Sequence, residues 1–169
     1  MSGLGSAPLP VLTTRDRVRG LAHGRELVVY GDYECPYCAA IDRRLVELGL
    51  RHAYRHFPVR SKHPRAWPAA CAAEAAALQG SFWPMHDALF GDQGRLEDPH
   101  LWARAQALGL DVGRFDADRR SDAVTARVKA DFMGGMRAGV ATTPALFVEG
   151  VLLPGRPGEA ELVTLAASP

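Results

Sequence analysis

Glu26-Leu-Val-Val-Tyr-Gly-Asp-Tyr-Glu-Cys-Pro-Tyr-Cys38 is the stretch that decides how the chain is read. Glu26-Leu-Val-Val-Tyr30 is a short apolar, β-branched run, the pattern of a buried strand. Gly31-Asp-Tyr-Glu34 follows as a loop. Cys35-Pro-Tyr-Cys38 then opens a helix over Ala39 to Leu48, with Ile41, Leu45 and Leu48 on one face and Gly49 closing it. Arg51 to Val59, alternating through Ala53, Phe57 and Val59, predicts a second strand. Strand, helix and strand in this order form a βαβ unit, whose crossover pairs the strands in parallel.

Downstream the pattern turns helical. Helix-spaced apolar residues run over Arg65 to Leu78, Phe82 to Phe90, Pro99 to Leu108, Val112 to Arg119 and Ala123 to Ala138. Ala145-Leu-Phe-Val148 predicts a third strand, and Glu149-Gly150 a two-residue turn into Val151-Leu-Leu153, so this pair forms a hairpin. Gly158 to Ala167 reads as a last helix. The expected organisation is a tail and lead-in over 1–25, a first core segment over 26–63, a helical insertion over 64–139 and a second core segment over 140–169. That is an α/β chain of thioredoxin-like layout with an inserted all-helical subdomain.

The whole chain has 169 residues, 47% hydrophobic and 23% charged, enough for one domain with a core. Net charge is +1, so nothing pulls the chain as a whole toward nucleic acid or an anionic membrane. Lys62 and Lys129 are the only lysines, and the arginines are scattered. No stretch approaches the ~18 apolar residues of a membrane helix. The residues after Met1 carry neither a basic n-region nor an apolar h-region, which predicts a cytoplasmic location, or one outside the cytoplasm if a leader has been removed. Three cysteines are too few and odd in number for a disulfide scaffold, which leaves redox chemistry or metal binding for Cys-x-x-Cys.

Two cysteines three apart at a helix N-terminus have distinct fates. Unpaired backbone N–H groups and the positive end of the helix dipole favour a thiolate at Cys35. Pro36 falls at the first helical position, where its missing N–H is no loss. Cys38 lies one turn on, within reach of a disulfide. Cys35 is therefore the expected nucleophile and Cys38 the resolving thiol. A competing reading exists, because Cys35, Cys38, His52 and His56 also match zinc-finger spacing. It fails on context: finger histidines share a helix face, whereas His52 and His56 fall on a predicted strand, where four residues span roughly 13 Å. No metal is therefore expected. Cys71, within Ala69-Ala-Cys-Ala-Ala73, reads as a small buried hydrophobe. His23, His63, His86 and His100 show no clustering and read as ordinary surface or core residues, His86 as helix packing.

The chain resembles the DsbA-like thioredoxin family, in its compact bacterial branch. The matching pieces are Val28-Val-Tyr-Gly-Asp-Tyr-Glu-Cys-Pro-Tyr-Cys38, Arg55-His-Phe-Pro58, Gly80-Ser-Phe-Trp-Pro-Met-His-Asp-Ala-Leu-Phe90, Leu108-Gly-Leu-Asp111 and Gly139-Val-Ala-Thr-Thr-Pro-Ala-Leu-Phe-Val148. The resemblance implies a thioredoxin core with an inserted helical domain. It also implies a cis-proline loop, Thr143-Pro144, facing the active cysteines, with Thr143 offering its backbone to a substrate. Three features depart from the family pattern. Thr142 stands where Gly is frequent, Tyr37 stands between the cysteines where the oxidising prototype has His, and Glu34 places a carboxylate beside Cys35 as a modulator of its pKa.

The expected function is thiol–disulfide exchange by Cys35 and Cys38, flanked by the active-site dipeptide Pro36-Tyr37, with no cofactor. The direction stays open between oxidase, reductase and isomerase. The expected partners are a protein or small disulfide or dithiol substrate and a redox partner that recycles the enzyme; no nucleic acid and no membrane are expected, and the chain is expected to act as a monomer. A kappa-class glutathione transferase or chromene-carboxylate isomerase shares the fold but uses a Ser nucleophile, against Cys35-Pro-Tyr-Cys38. A binding or chaperone module without redox turnover is the other alternative.

Overall fold

The computed structural model describes residues 9–21 and 24–168. Among them lie five strands and seven helices: β1 (Val18–Arg19), β2 (Leu27–Gly31), α1 (Pro36–Glu47), β3 (His52–His56), α2 (Ala66–Ala77), α3 (Phe82–Gly91), α4 (Asp98–Ala107), α5 (Val112–Asp118), α6 (Asp122–Arg137), β4 (Ala145–Val148), β5 (Val151–Leu152) and α7 (Glu159–Ala167). The sheet order is β1-β3-β2-β4-β5. β2 and β3 pair in parallel, Leu27 opposite His52, and the other pairs are antiparallel. A mixed sheet with α1 crossing from β2 to β3, and α2 to α6 inserted before β4, is the thioredoxin-like architecture that the sequence implied.

β2 is the strand on which both cores meet, and all five of its residues are buried. Side chains on a strand alternate between faces. Leu27 and Val29 join Ile41 and Leu45 of α1 and Leu162 of α7 in the larger core. Val28 and Tyr30 point the other way, toward Phe57, Val140 and Phe147. β4 alternates in the same way, Leu146 and Val148 into the larger core, Ala145 and Phe147 into the smaller.

α1 ends as its sequence dictates. Gly49 takes φ +65°, its N–H reaches Val46 O at 3.0 Å, and Leu50 N–H reaches Leu45 O at 2.9 Å, which together satisfy carbonyls left open by the last turn. α2 is Ala-rich and buried nearly all round, so that α3, α5 and α6 can approach it closely.

Two elements differ from the sequence reading. The second strand stops at His56, short of Val59. Phe57 N–H makes a further bond, to Gly31 O at 2.8 Å, after which Pro58 has no N–H to offer and Val59 N–H turns to the Asp32 carboxylate at 2.8 Å. Its interior also lacks the expected alternation, because β3 lies between β1 and β2 and is buried on both faces. β1 falls inside the stretch read as lead-in, since a two-residue strand carries no periodicity to detect. Residues 1–8 of the tail lie outside the described residues.

Gly31 ends β2 against the Tyr54 ring. A Cβ there would lie 2.5 Å from Tyr54 Cε2. Gly31→Ala is expected to destabilise the fold by about 1–3 kcal/mol through overpacking. Urea unfolding of the variant should show a lower midpoint with an unchanged m-value, and an unchanged midpoint would mean that Tyr54 has room to move.

Candidate functional site

The site begins where β2 runs out. Cys35 is the N-cap of α1, in extended backbone at φ −78° and ψ 117°, with Pro36 opening the helix. Cys38 follows one turn on, its N–H bonded to Cys35 O at 3.1 Å. Both thiols are free and buried, Cys35 being 4% exposed. The Thr143–Pro144 peptide bond is cis, and Thr143 O accepts a hydrogen bond from Cys35 Sγ at 3.6 Å. Cys35, Tyr37, Lys62, His63, Thr143 and Arg156 share the wall of a cavity of about 190 Å³.

The two thiols are driven apart in acidity. The Cys38 thiol hydrogen-bonds to Cys35 and, against the opposing effect of burial and with help from the backbone N–H groups of Cys38 and Tyr37, brings the Cys35 pKa from 9.0 down to about 5. Burial pushes the Cys38 thiol well above its ordinary value, and the hydrogen bond to Cys35 and its negative charge push in the same direction. A thiolate at the helix terminus beside a protonated neighbour is the arrangement of an attacking and a resolving thiol.

Three residues that the sequence did not single out hold this geometry. Asp32, fully buried, accepts hydrogen bonds from Glu34 N–H, Val59 N–H and His63 Nδ1, each at 2.8 Å, while its own N–H points at Cys38 Sγ at 3.4 Å. His63, read as an ordinary histidine, is thus tied to the loop that carries the cysteines and lines their cavity. Gln93, between α3 and α4, donates from Nε2 to Tyr33 O at 2.8 Å and to Cys35 O at 3.0 Å. Apart from Glu34 and Cys38, close to Asp32 in the chain, these partners are 27 to 60 positions apart in sequence, so no local pattern could reveal them.

Glu34 does not face the Cys35 thiol as an isolated charge. Its carboxylate accepts from Arg65 N–H at 2.6 Å and from Arg65 Nε at 2.8 Å, and Arg65 also binds Glu97 at 2.8 Å. Tyr37 is exposed, and the Arg156 guanidinium lies over its ring, 3.3 Å from the centroid, so the dipeptide position without a charge of its own carries a cation on its face.

The other cysteine and the histidines go elsewhere. Cys71 is buried in α2, and burial pushes its thiol up to about 11. His52 Nδ1 bonds Leu50 O at 2.7 Å and His56 Nε2 bonds Glu74 at 2.9 Å, both away from the cysteines. Among the described residues two clusters could in principle hold a cation, Asp42-His86-Asp87 and His56-Glu74-Asp131, and neither contains a cysteine. Guanidinium groups already occupy both: Arg19 binds Asp42 and Asp87, Arg17 binds Glu74 through two bonds of 2.8 Å, and Arg127 binds Asp131. Burial pulls the Glu74 carboxyl upward, but His56 and Arg17 hold it at about 2. His86, expected as simple helix packing, is instead a buried polar link between Asp42 and Tyr33 OH, 2.9 Å from each. His23 lies outside the described residues.

A thioredoxin-like sheet with an inserted helical layer and a Cys-Pro-Tyr-Cys helix start facing a cis-proline defines a thiol–disulfide oxidoreductase fold. The family model of the DSBA-like thioredoxin domain matches residues 54–166, and the chain belongs to that family. Among solved structures, a thioredoxin-like oxidoreductase from Silicibacter pomeroyi is 28% identical, with a TM-score of 0.79 over 90% of this chain and 91% of that one. The thiol-disulfide exchange protein alpha-DsbA2 from Wolbachia pipientis, 19% identical with a TM-score of 0.78 over 90% and 86% of the two chains, shares the fold. Among curated proteins, Na(+)/H(+) antiporter NhaA 1 of Mycolicibacterium vanbaalenii is 44% identical over 151 residues, and Na(+)/H(+) antiporter NhaA of Herminiimonas arsenicoxydans is 44% identical over 153. These matches cover 84% and 86% of this chain, which spans 24% of the length of each relative.

Alkylation separates the assignments. Iodoacetamide should modify Cys35 of the reduced protein first, with a rate that rises through a midpoint near pH 5, while Cys38 and Cys71 lag behind. Glu34→Gln should move that midpoint by less than about half a unit, because Arg65 neutralises the carboxylate it loses. A larger downward movement would mean that the Glu34 charge does act on Cys35.

Proposed function

We propose that this chain is a dithiol–disulfide exchange enzyme in which Cys35 is the sulfur that exchanges with the substrate, attacking when reduced and attacked when oxidised, and Cys38 its buried partner, which resolves mixed disulfides of the reduced form, and that it runs as a donor of disulfides. The opposed acidity of the two thiols carries this reading. In the disulfide form, a substrate thiolate attacks Cys35 Sγ. The Cys35–Cys38 bond breaks, and Cys38 leaves with the electron pair and takes up a proton, as its raised pKa favours. A second substrate thiolate then attacks the substrate sulfur of the mixed disulfide. Cys35 leaves as a thiolate, a good leaving group with a pKa of about 5. The substrate dithiol is oxidised to a disulfide and the protein disulfide is reduced to the dithiol. A separate disulfide partner must then reoxidise Cys35 and Cys38.

The antiporter relatives support a second element of the reading. No described helix is long and apolar enough to cross a membrane, and we assign cation exchange in those proteins to the three quarters of their length that this chain does not match. Their matched quarter is read as a redox domain of the same type.

Cys35→Ser should abolish exchange. Cys38→Ser should still attack and should accumulate mixed disulfides visible by mass spectrometry. Full biological activity retained by Cys35→Ser, with exchange lost, would overturn the reading in favour of a binding module without redox turnover.

Redox state should also couple to pH. A thiol whose folded pKa lies below its unfolded value stabilises the reduced fold fully above the unfolded pKa and loses that contribution as pH falls through the folded one. For Cys35 the window therefore runs from about 9 down to about 5, with a slope of at most about 1.4 kcal/mol per pH unit. Cys38, whose pKa is raised, acts in the opposite sense only above the ordinary thiol value. Between about pH 5 and about pH 8, the stability gap should move steadily toward the reduced protein. Urea unfolding of both forms measures it, and a flat gap would mean an ordinary Cys35 thiol.

A further inference from the structure

A cavity of about 250 Å³ shares no lining residue with the Cys35 cavity. One wall is the segment before β1, which supplies Arg15 and Asp16. The other is the face of α6 that carries Arg127, Asp131, Gly134 and Arg137, brought to one side by spacings of three and four. Tyr30 of β2 and Arg55 of β3 line it as well.

Four guanidiniums thus meet two carboxylates. Asp16 is taken by Arg55, at 2.9 Å from Nε and 2.7 Å from Nη2. Asp131 is taken by Arg127 and by His56 N–H at 3.1 Å. Among the described residues Arg15 and Arg137 have no carboxylate partner. Residues 1–8, which precede this wall in the chain, contain no Asp or Glu. The cavity therefore carries an excess of two positive charges in a chain whose net charge is only +1. Like charges held around one hollow repel each other, and an anion between them relieves the repulsion.

Two further details concern the Tyr30 hydroxyl. Tyr30 is only 2% exposed, and its oxygen accepts from Arg55 Nη1 at 3.1 Å, while its own hydrogen has no acceptor among the described residues. A buried donor without an acceptor is uncommon. Gly134 lies beside it. A Cβ there would sit 3.6 Å from the Tyr30 oxygen, an ordinary contact, and would meet nothing else outside the backbone of its own helix. Alanine would fit and is the better helix former. Packing therefore does not demand glycine at 134, in contrast to Gly135, whose Cβ would lie 2.7 Å from the Phe57 ring. The missing side chain leaves the hydroxyl open to the cavity.

We propose that this cavity binds the phosphate group of a small molecule, held by Arg15 and Arg137 with the Tyr30 hydroxyl as a third donor. The excess charge matches the charge of about −1.5 to −2 that a phosphate monoester carries near neutral pH. Donors from a loop, a helix and a strand suit a tetrahedral group with several oxygens better than a planar carboxylate, and guanidiniums pair with phosphate through two parallel hydrogen bonds. A phosphate so held ties the segment before β1 to α6.

Calorimetric titration of the full chain with inorganic phosphate and with glycerol 3-phosphate, at constant ionic strength in chloride, tests this in both redox states. One saturable site should appear in each state. Tighter binding of glycerol 3-phosphate would assign the site to a phosphorylated metabolite, and tighter or equal binding of inorganic phosphate to the free ion. Both arginines are exposed, so Arg15→Gln and Arg137→Gln should fold normally and should each weaken binding about tenfold. Gly134→Ala should raise the melting temperature of the ligand-free protein and yet weaken phosphate binding several-fold, a pair of opposite effects that a merely structural glycine does not give.

Absence of binding heat, with no rise in melting temperature over that in chloride, would overturn the proposal. So would unchanged affinity in the protein carrying both Arg15→Gln and Arg137→Gln. Binding in one redox state alone would place the anion beside the cysteines, near Lys62 and Arg156, and not here. Succinate binding as tightly as phosphate would overturn the assignment to a phosphate group. None of these outcomes bears on the exchange reaction, since the two cavities are separate.

Discussion

The buried carboxylate of Asp32 is the constraint on which the site depends. It sits where the central strand gives way to the reactive helix, and it must find hydrogen-bond donors because a charge without them is costly to bury. It finds them in Glu34, Val59 and His63, which belong to the loop before Cys35 and to the segment that leaves β3. One side chain therefore fixes the spacing between the two loops that frame the cysteines. The same residue aims its N–H at Cys38 Sγ, so the strand, the loop and the resolving thiol are placed together.

Across this frame, the helical insertion is a structural partner of the core and not an appendage. Gln93 holds the carbonyls of Tyr33 and Cys35, and Arg65 draws Glu34 toward α2 and Glu97. Deeper in, Arg17 and Arg19 reach from the edge strand and its approach into carboxylates of α2, α1 and α3. The polar interior is extensive, but each carboxylate in it has a guanidinium or an N–H against it, as burial requires.

Much of this was legible in the sequence. The apolar, β-branched run in Glu26–Tyr30, the Cys-Pro-Tyr-Cys start and Gly49 are local signals, and they map in turn onto β2, α1 and its left-handed close. The five helices of the insertion were legible from their apolar spacing. What stayed hidden was pairing at a distance. His63 and His86 carry no mark that distinguishes a surface histidine from one bonded to Asp32 or Asp42, because the partner is chosen by packing. β3 misled for a related reason: burial on both faces erases alternation, and Pro58 stops a run that still looks apolar. Glu34 was visible as a charge, but its partner Arg65 was not.

The sheet is bounded on both sides by strands of only two residues, β1 and β5. Val151 and Leu152 of β5 are exposed and would make a sticky rim if the strand were longer. A ladder this short offers few open backbone groups to an incoming chain, and the central strands that could template a long pairing are enclosed. A protein whose proposed work is to exchange disulfides is thereby guarded from joining another chain edge to edge.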